Sequence, residues 1–331
     1  MIRDALSEWR FWQVRQRGTL FAAALFIVMF AIYVSNHPAG FSPNVVQTAS
    51  NKAALLAFVA MAQCFVVITA GIDLSVGMIL VLCNCLASWL VVGTPLETAF
   101  GVAVVLLAGL ACGMLNGLII IFGRLQPIVT TIATSAIFYG LALLLRPTPG
   151  GSVNETLADV FTSKIFGVFP MSLVVLAAVI LVIWIPFSRS VLGRTAYAIG
   201  SAENAAYMSG MPIKRAKLAA YALGGLLSAM GGLYLTFFSY TGEAALASGN
   251  AYTLYSIAAV VLGGVSLAGG KGSAIGAVFG ALAFRTIGDL LFVFDLDPLW
   301  QPLFQGVVLM LAISIGCIGL ARVRNRLEWF Q

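Results

Sequence analysis

The sequence predicts an all-α membrane protein with about ten transmembrane helices. Three observations lead there. The 331 residues are 61% hydrophobic and 9% charged, against about 25% charged in a soluble domain, and mean hydropathy is +1.01. The apolar residues fall in runs long enough to cross a bilayer. The cations concentrate between those runs on one side, as the positive-inside rule demands of a multi-pass chain.

Residues 1–18 mix Ile2, Leu6, Trp9, Phe11 and Trp12 with Arg3, Arg10, Arg15 and Arg17. This suits either a helix lying on cytosolic headgroups or a basic flank that orients the first span. No small-residue cleavage site of a signal peptide follows. A single membrane domain is expected over 19–320, with spans near 19–34, 53–70, 75–92, 99–122, 127–145, 171–187, 216–237, 251–267, 273–293 and 300–320, then a cytosolic tail at 321–331. With the N-terminus inside, most cations fall inside, and only Lys52, Arg146 and Lys164 fall in outer loops. The outer loops instead collect Glu97, Glu155, Asp159, Glu243, Asp295 and Asp297. Both termini are therefore expected in the cytosol. The longest outer loop, 146–170, is suited to receive something from outside.

The inner loop at 188–217 is organised differently. It carries Arg189, Arg194, Lys214, Arg215 and Lys217 with one acid, Glu203. Its middle, Ser201 to Ser209, reads as a short helix stopped by Gly210 and Pro212. A compact helix held out from a membrane domain suits insertion into a groove on a partner.

Glycine interrupts two apolar runs, at Gly71-Ile-Asp73-Leu-Ser75-Val-Gly77 and around Gly263-Gly264 to Ser273. Each break is either a pathway lining of the kind transporters build or a tight inner turn. Asp73 is read first as a cap for the helix that follows. Two ladders spaced by four, Gly109-Gly113-Gly117 and Gly272-Gly276-Gly280, strip a helix face of side chains and are expected to be packing faces. Arg285 and Asp289, four apart, are expected to pair on one helix face.

Catalytic chemistry is missing. The cysteines, Cys64, Cys83, Cys85, Cys112 and Cys317, lie in apolar runs and read as small buried hydrophobes. His37 is the lone histidine and sits in an outer loop. Gly269-Gly-Lys-Gly-Ser273 looks superficially like a phosphate loop. However, the pattern needs glycine where Val265 stands, and Ser or Thr where Gly272 stands. No nucleotide or metal site is expected. Asp73 and Asp289 are too few buried carboxylates to favour a stand-alone secondary transporter, which remains the alternative.

At these same places the chain resembles the permeases of bacterial ATP-binding-cassette sugar importers of the ribose, xylose and galactose type, with autoinducer importers close by. The matching residues are Gly71 to Gly77, Asn116-Gly117, Gln126-Pro127-Ile-Val-Thr130, Leu192-Gly-Arg194, Ala198-Ile-Gly200, Glu203, Ala205-Ala206, Ser209-Gly210 and Ile257 to Gly272. The resemblance implies the vitamin-B12-importer-like (type II) permease architecture in the inner membrane and a pore formed by two permease subunits. It also implies two cytosolic ATPases that bind ATP and Mg and a periplasmic binding protein. It makes Gly200 to Gly210, with Glu203, Asn204, Ala205, Ala206 and Ser209, the ATPase-coupling helix. Gly71, Asp73, Ser75, Gly77, Gly263 and Gly264 are the pore or gate candidates. A sugar or polyol is the expected solute, with branched-chain amino acids or nucleosides as alternatives. Two positions depart from the family: Thr253 and Tyr255 replace a frequent acidic pair, and Ser201-Ala202 replaces Gly-Asn.

Overall fold

The computed structural model describes residues 2–308, 310, 311 and 314, with side chains from Arg17 onward except at 298. Twelve α-helices are named here: α1 Ile2–Asn36, α2 Pro43–Val67, α3 Val76–Leu90, α4 Pro95–Gly123, α5 Pro127–Leu145, α6 Glu155–Thr162, α7 Met171–Val179, α8 Ile185–Arg189, α9 Val191–Met208, α10 Ile213–Ser239, α11 Leu246–Leu262 and α12 Ala274–Val293. A π-helical turn, Ile180–Trp184, joins α7 to α8, and a two-stranded hairpin (β1 Lys164–Ile165, β2 Phe169–Pro170) follows α6. Seven helical stretches are long and apolar enough to cross a membrane, and α3 and α11 are shorter apolar helices. The first nine expected segments each contain one of these elements. The tenth is helical over 301–308 and at 310, 311 and 314, and its remaining residues from 309 on lie outside the described ones, as do the tail 321–331 and Cys317.

Helix starts follow from the chemistry of a few residues. Pro43, Pro95 and Pro127 open α2, α4 and α5, at positions whose amides have no intrahelical partner anyway. Ser42 accepts the Val45 amide at 3.3 Å, and Thr94 with Glu97 forms a reciprocal capping box. The start of α2 lies ten residues before the expected 53. Its first turns carry Gln47, Asn51 and Lys52, which break the apolar run but are each held by another part of the chain. Gln47 and Asn51 donate to the Thr162 carbonyl at 2.6 and 2.8 Å, and Lys52 pairs with Asp289 at 3.4 Å. The expected Arg285–Asp289 pair is thereby corrected: Asp289 reaches across to α2, and Arg285 Nε has no hydrogen-bond partner among the described residues.

α2 is the axle of the bundle. From Ala53 to Ile68 nearly every side chain is excluded from solvent, with α10, α11, α12 and α7 packed around it. The first glycine ladder is filled inside the chain. A Cβ on Gly113 would strike the Tyr221 carbonyl and Gly225 of α10, and one on Gly225 would strike Gly109 and Gly113 in return. Gly109 also faces Ala229, while Gly117 lies over Leu218 and Tyr221. The second ladder closes on the other side of the fold. Gly276 meets the Gly263 carbonyl and Thr19, Gly280 meets the Ala259 carbonyl, and Gly272 meets Val265.

Loops expected on one side of the membrane meet at one end of the bundle. Arg146 donates to the Ser88 hydroxyl and carbonyl at 3.0 and 2.9 Å, and Asn154 N–H donates to Val91 O at 2.8 Å. Gly150 and Gly242 exchange two backbone bonds, and Lys164 reaches Asn44. Tyr240 donates to Asp159, a bond that raises its phenol pKa above the ordinary value. The 146–170 segment is thus tied down over the helix ends. Loops expected inside gather at the opposite end, where the site described below lies.

The α4–α10 seam yields a test. Gly113→Leu and Gly225→Leu should each destabilise the detergent-solubilised chain by about 1–3 kcal/mol or more through overpacking, seen as a lowered melting temperature. Gly140→Leu should not, because no heavy atom lies within 4 Å of its Cβ position.

Candidate functional site

α9 begins conventionally, with the Ser190 hydroxyl accepting the Gly193 amide at 3.1 Å. It does not run straight to Met208. Ala202 sits at φ −164°, ψ 95°, an extended residue that separates 191–201 from a short helical piece at 203–208. This is one of the two departures noted in the sequence, and it falls at the hinge itself. The short piece ends in paired C-terminal bonds: Gly210 N–H donates to Tyr207 O at 3.0 Å and Met211 N–H to Ala206 O at 3.2 Å. Gly210 has φ +70°, the left-handed value this ending requires.

The outer surface of that piece is open. Glu203, Asn204, Ala205, Ser209 and Gly210 are exposed, while Ala206 is buried and anchors the turn. Tyr207 and Met208 are 72% and 85% exposed. Neither was singled out by the sequence patterns, although a neighbouring aromatic and thioether in a solvated loop are the signal of a contact surface. Glu203 accepts from Lys217 at 2.6 Å and steers the piece against α10. With half of the Glu203 side chain exposed, that pair contributes at most about 1 kcal/mol.

Gly200, one turn earlier, lies where both glycine breaks meet. A Cβ there would strike the Ile68 carbonyl and the Gly270 amide, the two groups joined by a 3.0 Å hydrogen bond. Tyr197 adds a bond from its hydroxyl to Gly272 O at 2.7 Å. The first break is held by side chains. Asp73 Oδ1 accepts the Ser75 amide at 2.8 Å and the Ser75 hydroxyl at 2.6 Å, and Asn116 donates to Ser75 Oγ at 2.8 Å. Leu74 N–H donates to Thr131 Oγ1 at 3.0 Å. Gly71 abuts the Tyr221 hydroxyl. Gly77 approaches α11 so closely that its amide donates to Thr253 Oγ1 at 3.1 Å. Thr253, one of the departures from the acidic pair, therefore has a positive role, since it satisfies the start of α3.

Gly71, Asp73, Ser75, Gly77 and Gly263 are all buried within the chain, and Gly264 alone among the pore candidates is exposed. Gly263 rests on Gly276, and Gly264, at φ +77°, touches Gly18 of α1. The structure thus joins the coupling and pore candidates into one contact system, running from the exposed piece through Gly200 to both breaks. Among the described residues no three His, Cys, Asp or Glu side chains come together as a metal site.

The family described as branched-chain amino acid transport system permease component matches residues 44–313. The ribose import permease protein RbsC of Bacillus subtilis (strain 168) is 33% identical over 88% of this chain and 90% of its own length. The fructose import permease protein FrcC of Rhizobium meliloti is 30% identical over 80% and 75%. The autoinducer 2 import system permease protein LsrC of Enterobacter sp. (strain 638) is 32% identical over 86% and 82%. No solved structure matches the chain. With sequence shared over most of its length, the chain belongs to the branched-chain amino acid transport system permease component family and is a multi-pass membrane permease.

Proposed function

We propose that this chain is the pore-forming permease subunit of an ATP-driven importer for a pentose, hexose or related polyol. The observation that carries the reading is the mechanical one: a short exposed helix, hinged at Ala202, is mounted through Gly200 on both broken segments. The relatives' names, which cover ribose, fructose and autoinducer 2, support a small hydrophilic solute.

In this reading two permease subunits, identical or related, form the pore with ten spans each, both termini in the cytosol and the type II architecture. Two cytosolic ATPases hold ATP and Mg, and each grips one 203–208 piece through Tyr207, Met208 and the surrounding small residues. A periplasmic binding protein delivers the solute to the outer loops. Closure of the ATPases draws the two short helices together. Gly200 then presses on the Ile68–Gly270 junction, and the breaks at Gly71–Gly77 and Gly263–Ser273 shift as a pair. The pathway runs between the two subunits, which fits the burial of Asp73 and Ser75 inside each one. Selectivity rests largely with the binding protein.

Three outcomes are expected. Tyr207→Ala with Met208→Ala should lower solute-stimulated ATPase activity of the reconstituted complex by at least about tenfold, the scale of a lost interface hot spot, while the permease still inserts. Unchanged activity would remove the coupling assignment. Gly200→Val should retain ATPase assembly, measured by co-purification, yet abolish uptake, because the added methyls separate the two breaks. Proteoliposomes with the cognate binding protein and ATPases should take up a labelled sugar only with ATP. Uptake of leucine instead would select an amino-acid solute, and uptake by this polypeptide alone under an ion gradient would replace the importer reading altogether.

A further inference from the structure

A cavity of about 950 Å³ opens beside the second glycine break, at the end of the bundle that carries α9. Four parts of the chain wall it: the start of the first span at Gly18 and Thr19, the π-turn and α8 from Trp184 to Arg189, α9 at Arg194 and Tyr197, and the loop from Gly264 to Ile275. Arg189, Arg194 and Lys271 all line it, and no acidic residue among the described residues does.

Among the described residues, no countercharge faces these three cations. Elsewhere at the same end, Lys217 is paired with Glu203 and Lys214 lies 5.7 Å above the Phe122 ring. The only described acids at this end are Asp73 and Glu203, already committed to Ser75 and Lys217. Arg189, Arg194 and Lys271 are exposed, and their side chains have no hydrogen-bond or ion-pair partner among the described residues. Three like charges around one cavity repel one another, and an anion between them relieves the repulsion. α12 begins at the cavity with its N-cap Ser273, and its dipole adds positive potential there. Trp184, Ile185 and Ile275 give the wall an apolar part, beside the polar Thr19, Ser188, Tyr197 and Ser273. Orientation by the positive-inside rule accounts for cations on this side, but not for their convergence on a partly apolar cavity between spans.

We propose that this cavity binds the phosphate headgroup of an anionic phospholipid, with Arg189, Arg194 and Lys271 as its ligands and the Trp184–Ile185–Ile275 wall against the upper acyl chain. The chemistry is that of basic pockets between transmembrane helices. The lipid would touch Gly264, Gly270 and Lys271, so it would steady the break on which Gly200 rests. This site is independent of which solute the permease carries.

The test uses the full chain, extracted from vesicles of equal phosphatidylglycerol and phosphatidylcholine, with retained lipid read by native mass spectrometry. The unaltered chain should keep phosphatidylglycerol in preference by about tenfold or more, as three convergent cations predict. Arg189→Gln/Arg194→Gln/Lys271→Gln should lose that preference, and Lys214→Gln/Arg215→Gln should keep it. Ser188→Trp, which fills the cavity without changing charge, should also lose it, and it serves where the triple variant does not fold. Undiminished preference in the triple variant or in Ser188→Trp would overturn the site. Displacement of phosphatidylglycerol by millimolar inorganic phosphate would overturn the lipid as its occupant.

Discussion

The bond from the Gly270 amide to the Ile68 carbonyl is the constraint on which the end of the bundle carrying α9 depends. α2 stops at Val67, and the chain then runs non-helically to Ser75, leaving carbonyls that hydrocarbon cannot satisfy. The second break supplies the missing donor, and glycine at 200 lets α9 lie directly on the junction. Each of these three segments fills the others' space, so in the proposed reading a displacement applied at α9 would reach both breaks together.

The remainder of the bundle provides the fixed frame for such a movement. The α4–α10 seam brings backbone against backbone along Gly109, Gly113 and Gly225, and tight packing of this kind transmits strain instead of absorbing it. The helix ends opposite α9 are cross-linked through the 146–170 segment. The helical pattern is interrupted at Ala202, at the two breaks, and at the π-turn before Pro186. Such interruptions recur at functional positions in helical proteins because they concentrate bending in a few residues.

Much of this was readable in the residues. Apolar runs located the helices, since burial and bilayer length act on composition directly, and Gly210 marked the end of the short piece because few other residues take its left-handed backbone. The ladders declared packing faces but not their partners: Gly113 meets Gly225 on a helix far along the chain, while Gly276 and Gly280 meet the nearby Gly263 and Ala259. The start of α2 was hidden because Gln47, Asn51 and Lys52 look like loop residues until their partners Thr162 and Asp289 are in place. Spacing showed that Arg285 could reach Asp289; it did not show that Lys52 lies nearer. Thr253 was legible only as a missing acid, since its bond to the Gly77 amide spans 176 positions. Tyr207 and Met208 escaped notice because periodicity does not separate an exposed aromatic from a buried one.

The central position of α2 also bears on biogenesis. In the finished fold it is sheathed by protein on nearly every side, yet it is synthesised second, well before α10, α11 and α12 exist. Until they arrive, Asn51, Lys52 and Gln63 lack their final surroundings, and polar groups in lipid are costly. Those polar groups are covered only once α10, α11 and α12 close around the helix, and chains truncated before α10 would leave them without that cover.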